Sequence, residues 1–144
     1  MLRTRTSMIE LSADECLGLL MSRRPHVGWL AFDDANGAEV FPMDYIADGR
    51  AIYFHTTPGS TLLAALEMQQ VTFEIDHVES EPEPGTAAAR EQSWSVLAFG
   101  RLRTLTDEDE LAQVRRSRLR PWADDEHSYY LRMDVTTLAG RRFL

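Results

Sequence analysis

The densest group of potential ligands lies at residues 55–61: His55, Thr56, Thr57, Ser60 and Thr61, with Pro58 and Gly59 between them. An apolar run ends here and a helical pattern begins, so hydroxyls and free helix N–H groups would converge, as an anion site requires. The same residues also make an ordinary capped turn, because Ser after Pro-Gly is common helix initiation. A second group is Phe41, Pro42, Met43, Asp44 and Tyr45. Proline inside a strand has no N–H to donate, so the strand is an edge there or bends, and nearby backbone groups are free for a ligand. A plain edge strand satisfies that pattern equally well. The third group is Trp94, Ser95 and Val96, where bulky residues at a strand start would either wall a flat ring or fill a core.

Other chemistry is poorly represented. Asp124, Asp125, Glu126 and His127 are adjacent on one loop and read as a solvated turn, not as a metal site. His26, His55, His77 and His127 show no paired ligand spacing, and Cys16 is the only cysteine, so neither a metal nor a disulfide is expected. No nucleophile-elbow spacing supports a triad, and no catalytic residue is assigned. No Gly-x-Gly-x-x-Gly fingerprint marks a dinucleotide-binding βαβ unit. All 15 cations are arginine, which removes the P-loop and Schiff-base lysines with the chemistry they serve. With 23 carboxylates the formal net charge is -8, so nucleic acid and anionic membranes are not expected partners. Arg115, Arg116, Arg118 and Arg120 follow acidic residues on one helix pattern and read as a solvated face.

The elements that must position these groups are short. The 144 residues suggest one domain over 1–144, with 44% hydrophobic and 26% charged residues. No signal-like apolar stretch follows the first arginines and no run approaches the ~20 residues of a membrane span, so a cytoplasmic location is expected. Residues 1–8 are read as a flexible arm. Ser12 and Glu15 form a capping-box pattern ahead of Cys16, Leu19 and Leu20, and Pro25 ends that helix. Strands are expected over 26–32 (apolar on both faces, Val27, Trp29 and Ala31 on one and Leu30 and Phe32 on the other, as in a strand buried on both sides), 40–46, 51–56, 71–76, 93–105 and 129–135. Asp48-Gly49 marks a tight hairpin, Gly100 a bend, and Ser60 and Thr106 the starts of two further helices. Residues 79–92, with Glu79, Glu81, Glu83 and Glu91 among prolines and alanines, are read as an exposed acidic loop. Consecutive strands with tight turns imply antiparallel pairing. The expected fold is mainly β (α+β): a six-stranded antiparallel split β-barrel with three short helices.

Taken in order, the capped helix, Val27 to Phe32, Pro42 to Tyr45, Ile52 to Ser60, Val71 to Asp76, Trp94 to Val96 and Gly100-Arg101 resemble one family. It is the pyridoxamine 5′-phosphate oxidase-like FMN-binding split barrels, in particular the short nitroimidazole-reductase-like branch common in bacteria. The resemblance covers roughly residues 9 to 142 and implies a flavoprotein, a homodimer with two FMN sites at the subunit interface. It implies that Pro42, Met43, Asp44 and Tyr45 line the isoalloxazine through their backbone. His55, Thr56, Thr57, Ser60 and Thr61 would hold the ribityl phosphate, and Trp94, Ser95 and Val96 would reach the flavin from the barrel or its partner. The implied activity is oxidoreduction of a small organic acceptor, and the chain lacks the substrate motifs of a true pyridoxamine-phosphate oxidase. Alternatives are a non-catalytic ligand-binding or sensing barrel, and reduction that uses the deazaflavin F420. Thr61 stands where many relatives carry lysine, and Arg101, Arg103 and Arg142 are the candidate replacements for its charge.

Overall fold

A computed structural model of the chain describes residues 7–22, 26–34, 37–56, 69–117, 119 and 129–144. Seven strands and two helices occur among them: β1 (Met8–Leu11), α1 (Ala13–Met21), β2 (Val27–Asp34), β3 (Gly37–Asp48), β4 (Ala51–Thr56), β5 (Gln70–Pro82), β6 (Ala89–Thr104), α2 (Glu108–Arg115) and β7 (Tyr129–Phe143). The helix expected after Ser60 falls outside the described residues.

All strand pairs are antiparallel, and six strands close on themselves in the order β7-β4-β3-β2-β5-β6-β7. Along one edge β7 is paired with β6 from Leu131 to Phe143. Its other edge is shared: β4 takes Tyr129 to Asp134 and β1 takes Gly140 to Phe143. That division splits the barrel. The expected six-stranded split barrel is therefore present, with β1 as an appended edge strand.

Alternation fills the interior. Leu30, Ile52, Phe54, Phe73, Ile75, Val96, Leu102, Leu131 and Met133 point inward and are buried. The Phe73 ring meets Tyr45 and Phe54 edge-on at 5.0 and 4.9 Å, the geometry aromatic quadrupoles favour. Each such side chain contributes about 1.5–3 kcal/mol on burial. At one end α1 sends Cys16 and Leu20 into the core. Its capping box forms as expected, Ser12 N–H donating to Glu15 Oε1 and Glu15 N–H to Ser12 Oγ, both at 3.1 Å. Gly28, Gly100 and Gly140 permit close approaches, Gly28 to the Phe73 ring. A Cβ on Gly140 would lie 2.6 Å from Cys16 Sγ, and one on Gly100 would lie 2.0 Å from the Asp134 carbonyl oxygen, at the bulge in the β6–β7 ladder.

A smaller core lies outside the barrel wall. Leu111, Val114 and Leu119 cover Ala51, Tyr53, Leu105 and Tyr130, so β4 is buried on both faces. The helix is capped by Asp107, whose side chain accepts from Glu110 N–H at 2.9 Å, in place of the expected Thr106.

Four other expectations change. Residue 8 belongs to β1, paired with Phe143, so the arm does not extend that far. The last strand continues past Val135 to Phe143. Residues 79–92 are acidic and most of those described are exposed, but the segment forms a ribbon paired from Glu79↔Gln92 to Pro82↔Ala89, leaving only 83–88 as the turn. Val27 and Trp29 do not face a core: they are 50% and 45% exposed, while Leu30 and Phe32 point inward. An apolar residue on the outer face of a strand is indistinguishable, in sequence, from one buried there.

Candidate cofactor face

The register fixes which side chains share the outer surface. On β3 these are Val40, Pro42 and Asp44, and across from them on β2 stand Ala31, Trp29 and Val27. Trp29 is paired with Glu74 and Ala31 with Thr72 on β5. Glu74 and Asp76 lie beside Leu97 and Ser95 on β6, which in turn lie beside Ala139 and Arg141 on β7. The face is unusually apolar for one turned to solvent, with Val40, Val27 and Trp29 all close to half exposed.

Three of the sequence-selected segments contribute to it. Pro42 and Asp44 are exposed and Ser95 is half-buried on this face. β4 ladders with β3 only from Tyr45↔Phe54 onward, so Pro42 sits at a local edge as its missing N–H demands. His55 is one residue beyond that last pair, half-buried, with its ring 5.2 Å from Tyr130. By strand alternation it follows Asp44 onto the outer side.

The neighbouring residues go the other way. Met43, Tyr45, Trp94 and Val96 are buried in the barrel core, so only their backbones are within reach of the outer face. Thr56 is buried as well. Thr57, Ser60 and Thr61 lie outside the described residues, as do the 124–127 turn and the side chains of Arg118 and Arg120. No group of His, Cys, Asp or Glu among the described residues is arranged to hold a metal.

Of the arginines considered as replacements for a lysine, Arg103 is occupied by Asp134, its Nε donating at 3.0 Å. Arg101 lies beside Gln70, at the far end of the face from Ser95. Arg142 alternates to the side of Glu15, whose carboxyl it helps to keep low after the Ser12 hydrogen bonds. The exposed cation in register with Ser95 is Arg141. Sequence reasoning passed over it and the Glu74–Asp76 pair, and placed Trp29 only among aromatics expected in part at an interface, not among the cofactor contacts. Only the ladder shows that these residues share one face. Burial, then the hydrogen bond and charge of Asp76, raise the Glu74 carboxyl above its ordinary value.

A charged lattice pins the wall beneath α2. Arg132 donates through Nε to Asp134 at 2.7 Å and through Nη1 to Glu110, while Tyr53 Oη donates to Glu110 Oε2 at 3.0 Å. Burial opposes the charge on Arg132, but these carboxylates prevail and push its pKa above the ordinary guanidinium value.

The chain matches the family model described as pyridoxamine 5′-phosphate oxidase over residues 12–142. It belongs to the pyridoxamine 5′-phosphate oxidase family. Within that family's fold, the structure of the FAD binding protein from Mycobacterium smegmatis is 31% identical, with a TM-score of 0.72 over 93% of this chain and 96% of that one. A FAD-binding protein from Mesorhizobium loti is 22% identical, with a TM-score of 0.68 over 96% and 98% of the two chains. A proposed 5-nitroimidazole antibiotic resistance protein from Bacteroides thetaiotaomicron shares the fold at 13% identity, with a TM-score of 0.70 over 97% and 91%. An uncharacterized protein of Mycobacterium tuberculosis is 27% identical over 99 residues, 68% of this chain and 80% of its own.

Proposed function

We propose that this member of the pyridoxamine 5′-phosphate oxidase family binds a flavin nucleotide on the outer face. It acts there as a dimeric, flavin-dependent oxidoreductase on a small organic acceptor. One observation carries the reading: Pro42 and Asp44 lie on the barrel's outer surface beside half-exposed Trp29, with His55 on the neighbouring strand β4 following Asp44 to that side, while Ser95 is on the outer surface three strands further round. The residues suit such a group. Trp29, Val27 and Pro42 offer an apolar floor, and Asp44 and His55 offer polar contacts at its margin. A bound flavin supplies hydride transfer, and the protein supplies position and electrostatics. The β3–β4 ladder begins only at Tyr45↔Phe54, so β4 leaves the Pro42 edge of β3 uncovered for the ring. A second copy laid on the same apolar face would exclude water from it.

The sequence resemblance favours FMN, whereas the 31% identical relative is a FAD-binding protein, which supports the dinucleotide. Charge supports FAD too: it spreads its phosphate charge over a diester pair, which suits a lysine-free chain of net charge -8 better than a terminal dianion. F420 suits the chain less well, since its acidic tail needs several cations and the outer surface carries Asp44, Glu74 and Asp76. A non-catalytic sensing barrel is the second reading, favoured by Thr61 in place of a lysine. Heating the purified protein and weighing the released chromophore distinguishes FMN, FAD and F420. Bleaching of the bound flavin by NAD(P)H or dithionite, followed by reoxidation with a nitroaromatic acceptor, tests turnover. Tight flavin binding without reoxidation by any acceptor would favour the sensing barrel.

A further inference from the structure

Glu74 is set between two apolar neighbours on the outer surface, Trp29 on β2 and Leu97 on β6. Directly paired residues hold their Cβ atoms about 4.5–5.5 Å apart, so its carboxyl lies within reach of the indole. Asp76 follows two residues along the same face, exposed, and the two carboxyls are hydrogen-bonded to each other. On the other flank of the indole, Asp44 stands across from Val27, diagonal to Trp29. A half-exposed indole thus has carboxyls on both sides of it.

No arginine among the described residues answers the Glu74–Asp76 pair. The ion pairs there lie elsewhere, joining Arg103 and Arg132 to Asp134 and Glu110. Burial and Asp76 act on the Glu74 carboxyl, and no cation does. The nearest cation in register is Arg141, beyond Ser95 and so two strands, roughly 9–10 Å, from Asp76. An indole attracts a cation through its ring quadrupole, and paired carboxylates attract the same charge. A neutral guest gains neither contribution, and an anion is repelled.

We propose that the acceptor reduced on this face is an organic cation, its charged group seated against Glu74, Asp76 and the edge of the Trp29 indole. This rests on the flavin-dependent activity proposed above and adds the charge of the molecule that activity serves. A cation favours the ionised carboxyls, so its affinity rises with pH through the raised Glu74 range and levels off above it. The charged groups facing Glu74 are Asp76 on its own strand, Asp44 across β2 and Arg141 across β6; Trp29, Val27 and Leu97 do not titrate.

Calorimetric titration of the purified protein with its flavin bound compares benzyltrimethylammonium, benzyl alcohol and benzoate, one ring with positive, neutral and negative groups. The cation binds about tenfold or more tighter than the alcohol, and benzoate binds weakest. Their 4-nitro derivatives follow the same order in kcat/KM. Glu74→Gln with Asp76→Asn brings the cation to the affinity of the alcohol and flattens the pH dependence. Glu81→Gln with Glu91→Gln removes the same charge from the exposed ribbon and keeps the preference, which bulk attraction to a net charge of -8 would not. A flavin-loaded protein that binds the three alike, or loses its preference equally in the ribbon variant, overturns the cation site and leaves the flavin reading standing. A protein that takes up no flavin yet prefers the cation overturns the flavin reading and keeps the carboxylate site.

Discussion

Trp29 on β2 stands directly across from Glu74 on β5, and both side chains share the outer face of the barrel. An indole close to half exposed beside a carboxyl raised by burial and by Asp76 is costly on a free surface. The exposed indole is accounted for if a flavin ring or a second copy covers it, and covering Glu74 as well would raise its carboxyl further.

Trp29→Ala therefore separates folding from binding. The side chain is not part of the barrel core, so the monomer loses under about 1 kcal/mol in chemical denaturation. Flavin affinity falls by roughly tenfold or more, because the flat apolar floor is gone. Leu30→Ala, one residue on and fully buried, does the reverse: about 2–5 kcal/mol of stability is lost through cavity formation.

Glu74 sets a pH dependence with a definite sign. A carboxyl whose folded pKa is raised binds more protons folded than unfolded, so its contribution is present in acid. It is lost as pH rises from the ordinary carboxylate range through the raised value. Glu74→Gln is expected to stabilise the protein at neutral pH, by under about 1 kcal/mol for a partly solvated pair, and to have no effect in acid. Melting temperatures of the two proteins between pH 4 and 8 should converge at the acid end.

Asp134 has the opposite sign. Burial works to raise its carboxyl, but hydrogen bonds from Arg132 and Arg103 prevail and hold it low. Its contribution is present above the ordinary carboxylate range and lost as pH falls through the depressed value. Glu110→Ala leaves half-buried Arg132 with one fewer carboxylate and should cost about 1–3 kcal/mol. A double-mutant cycle with Tyr53→Phe should show coupling, since Tyr53 Oη donates to the same Glu110 oxygen that Arg132 engages.

Gly100→Ala places a methyl 2.0 Å from the Asp134 carbonyl oxygen, which is backbone and cannot swing aside. The β6–β7 ladder must open at the bulge, at a cost of about 3 kcal/mol or more. Urea denaturation measures it, and a near-neutral result would mean that the bulge is absent.

Much of the barrel was legible in the sequence because its signals are local. Ser12 and Glu15 cap α1, Asp48 and Gly49 mark the hairpin, and Val71, Phe73 and Ile75 alternate with polar neighbours. What failed were features set by distant partners. β1 is too short to show a period and exists only because the C-terminal half of β7 offers it an edge. Residues 79–92 carry loop residues, yet their strands continue in register from the barrel. At the site, Asp44 and Ser95 could be chosen from their motifs. Trp29 and Arg141 could not be chosen as cofactor contacts, since only the closed ladder shows that both lie on the outer surface.

Asp44 tests the electrostatics of a bound flavin. Its exposed carboxylate lies on the proposed ring-binding face and would oppose negative charge on a reduced flavin. Asp44→Asn should raise the midpoint potential by on the order of 20–30 mV, the two-electron equivalent of about 1 kcal/mol of repulsion. A potential unmoved by the substitution would place the ring away from Asp44.

The most direct test of flavin binding on the outer face is a visible absorbance spectrum of the purified chain, before and after incubation with FMN and with FAD. The intact protein should carry, or acquire, the two-banded spectrum of an oxidised flavin in near-stoichiometric amount, with a raised melting temperature, and Trp29→Ala should lose both. A colourless protein that gains neither flavin absorbance nor thermal stability from either nucleotide would contradict it.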